Sequence, residues 1–413
     1  LVMLVGMIPA TSLPAFAAAG GEVYVGGVAM YDGDYLAVGA TATQTTKPSG
    51  GYAYYKDGVL TLNNYSYAGE GYLNSRSGYY AVIYTKNDLT LELIGNNTLN
   101  QTKSYSDMID VVDANLTIGG DGKLTGTSEG YALYAYKGIT INGGTIEVST
   151  NDESIVSYDG EVIINDGDIT AESEDAFGIY SKYDVTVNGG NVTAIGGYEA
   201  IGYGSSGSFT VAEGMNIQAS TTVDGELGEY VAENHGSYEK IVIKTPDVYV
   251  GGVGMYDGDY LAVGATKTQT TKPSGGYAYY NDGTLTLNNY SYEGQGYVYG
   301  KEGCYFAIVY AEHDLTLELV GTNTLTQTEE NSNVIYVWNG DLTVDGNGKL
   351  IGTADSYGLF AYGDITINGG TIAVLADYVC IYSNGEVIIN DGDITAESED
   401  RAAISSYYDV TVN

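Results

Sequence analysis

Short apolar runs return at a nearly constant interval along this chain. Ile139, Val162 and Val185 each begin a triplet whose first and third residues are apolar, and these starts are 23 residues apart. Related triplets begin at Leu89, Leu116 and Phe209. A fixed period of about 20–50 residues is the signature of a solenoid, in which every repeat packs against its neighbours. The sequence therefore predicts a stack of similar coils.

One period contains three short alternating runs separated by polar turns. The triplet at Ile139 is followed by the turn Asn142-Gly143-Gly144 and by a second run that begins at Thr145. Such alternation is typical of strands with one buried face, and Asn and Gly are turn formers. Three short strands and three turns fit one period of about 23 residues and no helical spacing intervenes, so we predict an all-β parallel β-helix with coils about 4.8 Å apart. Its coils should span residues 60–213 and 285–413. One inward column should contain Leu60, Leu89, Leu116, Ile139, Val162, Val185 and Phe209.

The repeats are themselves duplicated. The block that begins at Val23 returns at Val248, and the run that begins at Gly160 returns at Gly385. We therefore predict two tandem lobes, the first over residues 22–245 and the second over residues 248–413, truncated at Asn413. The irregular beginning of each copy and the irregular end of the first are expected to be caps, because an open solenoid end exposes strand edges.

Residues 1–19 form an apolar segment that ends in Ala15-Phe16-Ala17. This small-x-small pattern is typical of a signal peptide cleavage site, and the missing charged region indicates a fragment of that peptide. A membrane anchor is the alternative, but Pro9 and Pro14 interrupt the apolar run and shorten it below a spanning length. We expect a secreted or extracellular protein that could be attached to the cell wall, with no membrane insertion.

The chain is strongly acidic, with 15 Lys and Arg against 53 Asp and Glu and a net charge of −38. Such a surface repels nucleic acid and anionic membranes, so no nucleic-acid partner is expected. A hydrophobic content of 44% excludes a disordered acidic chain. Tyrosine is the unusual component, with 42 residues, and it needs an explanation.

An aromatic residue follows the inward Ile or Leu of the third run in several coils. Strand alternation directs these side chains outward, and stacking of the coils would align them on one face. Sugars stack on aromatic rings, and tyrosine adds a hydroxyl, so this face is a candidate glycan-binding surface. The alternative is that the rings stabilise the coils by packing on one another. The candidate residues are Tyr84, Tyr134 and Tyr180 in the first lobe and Tyr336, Phe360 and Tyr382 in the second.

Two turns are dense in carboxylates and carry Asp166 and Asp168 in the first lobe and Asp391 and Asp393 in the second. Calcium takes six to eight oxygen ligands, so these turns are candidate metal sites and calcium is a candidate cofactor. The alternative is that Asp and Asn serve only as turn formers. A neighbouring column of Asn142, Asn165 and Asn188 is expected to hydrogen-bond along the solenoid axis. For Asn142 and Asn188 this role is favoured over ligand binding.

The motifs GGVxMYDGDYL, GxLTLNNYSY and DLTLELxGxNTL occur in both copies. Together with the repeated DITINGGTI-like runs, they resemble the β-helix repeats of secreted carbohydrate-binding domain-containing proteins of gut and cellulolytic Gram-positive bacteria. The resemblance covers nearly all of residues 22–413. It implies a right-handed parallel β-helix that binds plant cell-wall or other polysaccharide, with bound calcium.

An enzyme is the competing class, because parallel β-helices also carry polysaccharide lyases and hydrolases. Hydrolysis needs two carboxylates at a defined separation, and acids are too abundant here to discriminate. Lyases of this fold use Arg or Lys, but Arg76 and Arg401 are not matched between the copies. His235 and His313 are expected to be solvated turn residues. We therefore predict a non-catalytic polysaccharide-binding or adhesion protein, with a structural stalk or protein-binding adhesin as the alternative and an enzyme less favoured.

Two cysteines, Cys304 and Cys380, occur only in the second copy. The triplets place them three coils apart, which is about 14 Å along the axis at the strand spacing. A disulfide needs Cα atoms within about 7 Å. Both are therefore predicted to be free thiols.

Overall fold

Each coil of the protein contributes strands to parallel sheets that run the length of the stack. The computed structural model describes residues 23–75, 77–212, 214–299, 305–399 and 401–413. We call the sheet of the triplet runs the first sheet, the sheet of the runs after the Asn-Gly turns the second sheet, and the sheet of the aromatic runs the third sheet. Among the described residues the only helix is the short 3₁₀ helix Ala232–Ser237. No described helix is long and apolar enough to cross a membrane.

The described residues divide into two compact units, which lie within Leu1–Lys244 and Thr245–Asn413. In the first unit, Ile139–Thr150 and Val162–Ser173 each continue from the first sheet into the second. The other strands of the first sheet are Asp34–Ala37, Tyr52–Lys56, Val59–Asn63, Leu89–Ile94, Leu116–Gly119, Val185–Val187 and Phe209–Val211. The other strands of the second are Ser66–Gly69, Asn96–Gln101, Lys123–Ser128, Asn191–Gly196, Asn216–Ser220, Gly228–Glu229 and Lys240–Lys244. The third contains Val23–Val25, Val28–Met30, Tyr72–Leu73, Tyr80–Thr85, Asp107–Val111, Leu133–Ala135, Ile155–Ser157, Phe177–Ser181 and Glu199–Tyr203.

The second unit repeats this arrangement with three separate sheets. Its first sheet contains Tyr260–Ala262, Tyr277–Asn281, Thr284–Asn288, Leu315–Val320, Leu342–Gly346, Ile365–Ile367, Val387–Ile389 and Val410–Val412. Its second contains Ser291–Gly294, Thr322–Gln327, Lys349–Ala354, Thr371–Ala376 and Asp393–Ser398. Its third contains Val248–Val250, Val253–Met255, Tyr297–Tyr299, Tyr305–Ala311, Ser332–Val337, Tyr357–Ala361, Val379–Ser383 and Ile404–Ser406.

The register of the first sheet confirms the predicted β-solenoid. Leu116 pairs in parallel with Leu89 on one side and Ile139 on the other. The same column continues through Val162 and Val185 to the half-buried Phe209. The placement of Leu60 in this column was wrong, because Leu60 pairs with Leu91, two residues further along the strand. Leu60 still points into the core, since a shift of two residues keeps a side chain on the same face.

The core of each unit lies between its sheets and is filled by the inward residues of every coil. In the triplet at Ile139, the first and third residues are fully buried while Thr140 between them is half-buried. Burial of one such apolar side chain contributes about 1.5–3 kcal/mol. The regular alternation therefore gives each coil a similar share of a continuous core.

Antiparallel strands replace parallel pairing where the described stacks begin and where the first one ends. Val23–Val25 pairs antiparallel with Tyr80–Thr85 in the first unit, and Val248–Val250 pairs antiparallel with Tyr305–Ala311 in the second. Lys240–Lys244 pairs antiparallel with Asn191–Gly196. An antiparallel partner satisfies the outer hydrogen-bonding groups of a parallel strand without propagating the coil.

The predicted asparagine column is confirmed. The side-chain amide of Asn165 donates to Asn142 at 2.8 Å and accepts from Asn188 at 2.9 Å. A second ladder of the same kind joins Asn368, Asn390 and Asn413 at 2.9 and 2.7 Å. Each ladder links the same turn of successive coils along the axis.

We expect Asn165→Ala to destabilise the first unit more than Asn142→Ala. Asn165 lies in the middle of its ladder and loses two amide hydrogen bonds, whereas Asn142 loses one, and each contributes about 0.5–1.5 kcal/mol. Thermal unfolding of the two variants compares their losses of stability. Equal losses would show that the ladder bonds do not contribute to stability.

Of the two cysteines, only Cys380 lies among the described residues. Cys380 is a buried free thiol, and its Sγ donates towards the carbonyl oxygens of Glu397 and Val374 at 3.0 and 3.3 Å. Burial raises the pKa of this thiol. Cys304 lies outside the described residues, as does the predicted signal segment 1–19. The pairing of Cys304 stays a prediction.

Candidate functional site

The third sheet of the second unit carries an unbroken aromatic column on its outer face. In register, Tyr336 lies between Tyr310 and Phe360, and Phe360 lies between Tyr336 and Tyr382. The rings of Tyr336 and Phe360 are nearly parallel, with centroids 4.6 Å apart. The rings of Phe360 and Tyr382 follow at 5.7 Å. The structure therefore brings together the three residues that the sequence predicted in this unit and adds Tyr310 to them.

Stacking covers most of the ring faces in this column. Tyr336 and Phe360 are only 7% and 6% exposed although they point away from the core. Because parallel rings cover one another, the column presents mainly ring edges to solvent. The stacked rings form the floor of a groove. Glycan binding by Tyr336, Phe360 and Tyr382 stays a prediction, as does the alternative that the rings serve to stabilise the coils.

Exposed rings rise beside this floor and form the walls of a groove. Trp338 and Tyr362 stand two residues beyond Tyr336 and Phe360, with their ring centroids 4.7 Å apart. They are 39% and 42% exposed, and Tyr305 on the other side is 48% exposed. The groove has a volume of about 740 Å³ and crosses several coils. Eight aromatic side chains line it together with Asn333, Ser356 and Asn384.

Hydroxyl groups connect the floor and the walls. The amide of Asn333 donates to the hydroxyl of Tyr299 at 2.6 Å. The phenols of Tyr299 and Tyr362 lie close enough to that of Tyr336 to interact with it electrostatically. Burial raises the pKa of Tyr299 and Tyr336 above its ordinary value, so these phenols stay neutral at physiological pH. Among the described residues, the side chains of Ser356 and Asn384 have no protein hydrogen-bond partner and are open to a ligand.

The corresponding face of the first unit has an interrupted column. In register, Asp110 lies between Tyr84 and Tyr134, and Val156 lies between Tyr134 and Tyr180. The three predicted rings therefore pack on other neighbours. Tyr84 stacks on Tyr72, Tyr134 stacks on Tyr131, and Tyr180 packs on Phe177, with centroids 4.6, 5.3 and 5.0 Å apart.

Asp110 is a buried carboxyl group within this face. It is 7% exposed and hydrogen-bonds to Asn74, and burial raises its pKa to about 7. Nearby Asp107 accepts a hydrogen bond from the backbone N–H of Tyr131 at 2.9 Å. Burial and then the charge of Asp110 raise the pKa of Asp107 to about 8. The first unit thus has ionisable groups where the second unit has neutral ones.

Sequence reasoning missed the walls of the groove. A comparison of the two copies could have indicated them, because the second copy has aromatic residues where the first has none. Tyr336, Trp338 and Tyr382 of the second copy correspond to Asp110, Val112 and Val156 of the first. Trp338 is also the only tryptophan in the chain. The sequence did not indicate that Tyr299 and Tyr305 lie at the groove. Their positions beside the aromatic column depend on how the chain folds back onto the third sheet.

The carboxylates predicted to bind calcium are all exposed; Asp166 and Asp168 lie within the strand Val162–Ser173, and Asp391 lies in a bend. Asp166 and Asp391 each accept a hydrogen bond from the next backbone N–H, at 2.7 and 2.8 Å. Asp168 accepts from the amide of Asn191 at 2.9 Å, and Asp393 is exposed at a strand start. Among the described residues, no group of three or more His, Cys, Asp or Glu side chains is arranged to hold a metal ion. Calcium binding stays a prediction.

The prediction for His235 was wrong. The imidazole is 6% exposed, its Nδ1 lies 2.8 Å from the hydroxyl of Tyr230, and its Nε2 lies 2.7 Å from the carbonyl oxygen of Ile201. The 3₁₀ helix places this ring against the side of the last coils, and burial lowers its pKa. His235 is therefore part of the packing at the end of the first unit. His313 lies exposed in a bend, as expected.

The fold and the groove define an aromatic-lined parallel β-solenoid. The family model of carbohydrate-binding domain-containing proteins matches residues 59–249 and 304–411. The chain therefore belongs to the carbohydrate-binding domain-containing protein family, and its membership supports glycans as its class of ligand. Comparison with curated proteins finds no match. Comparison with solved structures finds none either.

Proposed function

We propose that the aromatic groove of the second unit binds a polysaccharide chain without cleaving it, in a secreted or cell-surface protein. The observation that carries the proposal is the groove of about 740 Å³ with its eight aromatic side chains, in a member of a carbohydrate-binding family. Exposed Trp338, Tyr362 and Tyr305 offer ring surface for the apolar faces of sugars. The groove crosses successive coils, which suits an extended polymer better than a single sugar.

Polar groups in the groove would orient the bound chain. Ser356 and Asn384 can exchange hydrogen bonds with sugar hydroxyls, and the phenols of Tyr336 and Tyr362 lie beside them in the lining. A mostly apolar site with a few placed polar groups is the usual composition of a small-molecule or sugar site. All eleven described lining residues are uncharged, which supports binding without hydrolysis, since glycoside cleavage normally uses two carboxylates.

We expect the double variant Trp338→Ala/Tyr362→Ala to lose at least about tenfold in affinity for a retained polysaccharide. Each aromatic contact contributes about 0.5–1.5 kcal/mol beyond its buried area, and 1.4 kcal/mol is a factor of ten. Affinity electrophoresis of the intact chain through gels that contain single polysaccharides measures this loss. Adding and removing calcium in the same gels tests the proposed assistance by that ion.

The matched control is Tyr136→Ala/Tyr158→Ala in the first unit. These two rings stack with centroids 5.5 Å apart at the corresponding edge of the third sheet, and Tyr158 is exposed. The control should retain wild-type affinity. If the control loses binding and the groove variant does not, the site lies on the first unit. A loss of binding in Tyr134→Ala/Tyr180→Ala would then place it at those two rings. If the intact chain binds no polysaccharide, a stalk or protein-binding adhesin replaces this proposal, and release of shortened products would indicate an enzyme.

A further inference from the structure

The groove presents hydrogen-bonding groups but no described charge. Its polar atoms come from phenols, from the amides of Asn333 and Asn384 and from the hydroxyl of Ser356. Asn333 is already engaged, because its amide donates to Tyr299 and its oxygen accepts from the backbone N–H of Tyr357. The remaining donors and acceptors match the hydroxyl groups of a sugar, which also both donate and accept.

Two carboxylates lie beside the described lining of the groove. Glu312 accepts a hydrogen bond from the hydroxyl of Tyr310 at 3.2 Å, next to the floor. Asp355 accepts from the backbone N–H of Asn331 at 2.7 Å, immediately before Ser356. With a net charge of −38 on the chain, the field around the groove disfavours an anionic polymer. A carboxylate or sulfate in the groove would lose its hydration without meeting a described cation.

Arg401 is a described cation close to this region; it is paired with a ring, and its charge also acts to lower the pKa of the lining residue Tyr357. The guanidinium of Arg401 lies 4.9 Å from the ring centroid of Tyr378, which packs edge-on against the lining residue Tyr357. Arg401 is therefore one ring removed from the groove. Lys301 and Glu302, in the segment between Tyr299 and Tyr305, carry opposite charges and lie outside the described residues.

The first unit shows that carboxyl groups at these places are compatible with the fold. Asp107 and Asp110 occupy the places of Asn333 and Tyr336. The second copy thus has a neutral amide and a phenol where its duplicate has two carboxyl groups. The lack of carboxyl groups in the described lining of the groove is therefore a property of this copy rather than a requirement of the solenoid.

From this geometry we infer that the groove selects uncharged polysaccharides and rejects polyuronates and sulfated glycans. The inference rests on the proposed function and names the ligand class of the same site. Affinity should come from ring contacts and neutral hydrogen bonds, so it should depend little on salt. Screening acts on charged ligands and leaves such contacts nearly unchanged.

The test is affinity electrophoresis of the intact chain against a mixed-linkage β-glucan, a galactomannan and polygalacturonate. We expect at least one neutral polymer to retain the protein, with less than about a twofold change between about 0.01 M and about 1 M salt. Polygalacturonate should not retain it at either salt concentration. Retention by the neutral polymer should fall at least about tenfold in Trp338→Ala/Tyr362→Ala.

Two single variants sharpen the test. Asn384→Lys places a cation in the groove and should create polygalacturonate retention that disappears at high salt. Arg401→Ala should leave neutral retention unchanged, because its guanidinium contacts Tyr378 outside the lining. Circular dichroism and thermal unfolding show whether each variant is folded, and if Asn384→Lys is not, Ser356→Lys makes the same test from the opposite wall.

The outcomes separate this inference from the proposed function. Polygalacturonate retention that is lost in Trp338→Ala/Tyr362→Ala would overturn the neutral class while leaving polysaccharide binding at the groove intact. Loss of that retention in Arg401→Ala would identify Arg401 as the anion contact and would overturn the inference in the same way. No retention on any polymer would overturn both proposals.

Discussion

Replacement of Tyr336 with alanine is expected to destabilise the second unit by about 3–5 kcal/mol, the range found for removing a large buried aromatic side chain. The ring of Tyr336 contacts four others, those of Tyr299, Phe360, Tyr310 and Trp338, with centroids 4.6, 4.6, 6.1 and 6.1 Å away. Each such pair adds about 0.5–1.5 kcal/mol to simple burial. Alanine would leave a gap in the column that neighbouring coils cannot fill, since their spacing is set by the strand ladder.

Thermal or denaturant unfolding of the intact chain measures this loss. Tyr305→Ala is the matched control, because Tyr305 lies at the same groove but is about half exposed, so its removal should cost less than about 1 kcal/mol. Tyr336→Phe keeps the stacked ring and removes only the phenol hydroxyl, so its loss of stability should fall between those of the other two variants. A Tyr336→Ala variant as stable as Tyr305→Ala would show that the stacked column does not hold the coils together.

The stability of the first unit is expected to fall as the pH rises from about 4 to about 7. Asp110 has its pKa raised to about 7 by burial, so in this range the folded chain binds more protons than the unfolded chain. The free energy of unfolding therefore decreases with pH until the folded group has ionised. A shift of about three pKa units is equivalent to about 4 kcal/mol. Asp107, with its pKa raised to about 8, adds a loss in the same direction.

Asp110→Asn should raise the melting temperature of the first unit at pH 8 and flatten its pH dependence. Asparagine has the same shape and can still hydrogen-bond to Asn74, but it does not ionise. At pH 4 the variant and the parent protein should melt alike, because Asp110 is then protonated. Asp121→Asn, at an exposed bend, is the control and should change neither profile. A parent protein whose stability rises between pH 4 and pH 7 would contradict this assignment of Asp110.

The period of the sequence was enough to predict the coils and much of their register. The triplets at Leu116, Ile139 and Val162 predicted the inward column because apolar alternation and a constant interval are both local properties. The asparagine ladder at Asn165 followed for the same reason, since a turn of constant length repeats its side chains along the axis. Leu60 was misplaced because it precedes the regular repeats, where the interval changes.

The sequence by itself determined the solenoid, its asparagine ladders and an outward aromatic face in the second copy. Only the tertiary structure decided that the rings of Tyr336 and Phe360 stack on one another and are buried, while those of Trp338 and Tyr362 stay exposed. It also placed Asp110 between Tyr84 and Tyr134 and buried His235 against the last coils. The physical reason is that these neighbours lie a whole coil or more apart in the chain. Their burial depends on the packing of adjacent coils. A local sequence pattern does not predict that packing, because the polar stretches between the runs vary from coil to coil.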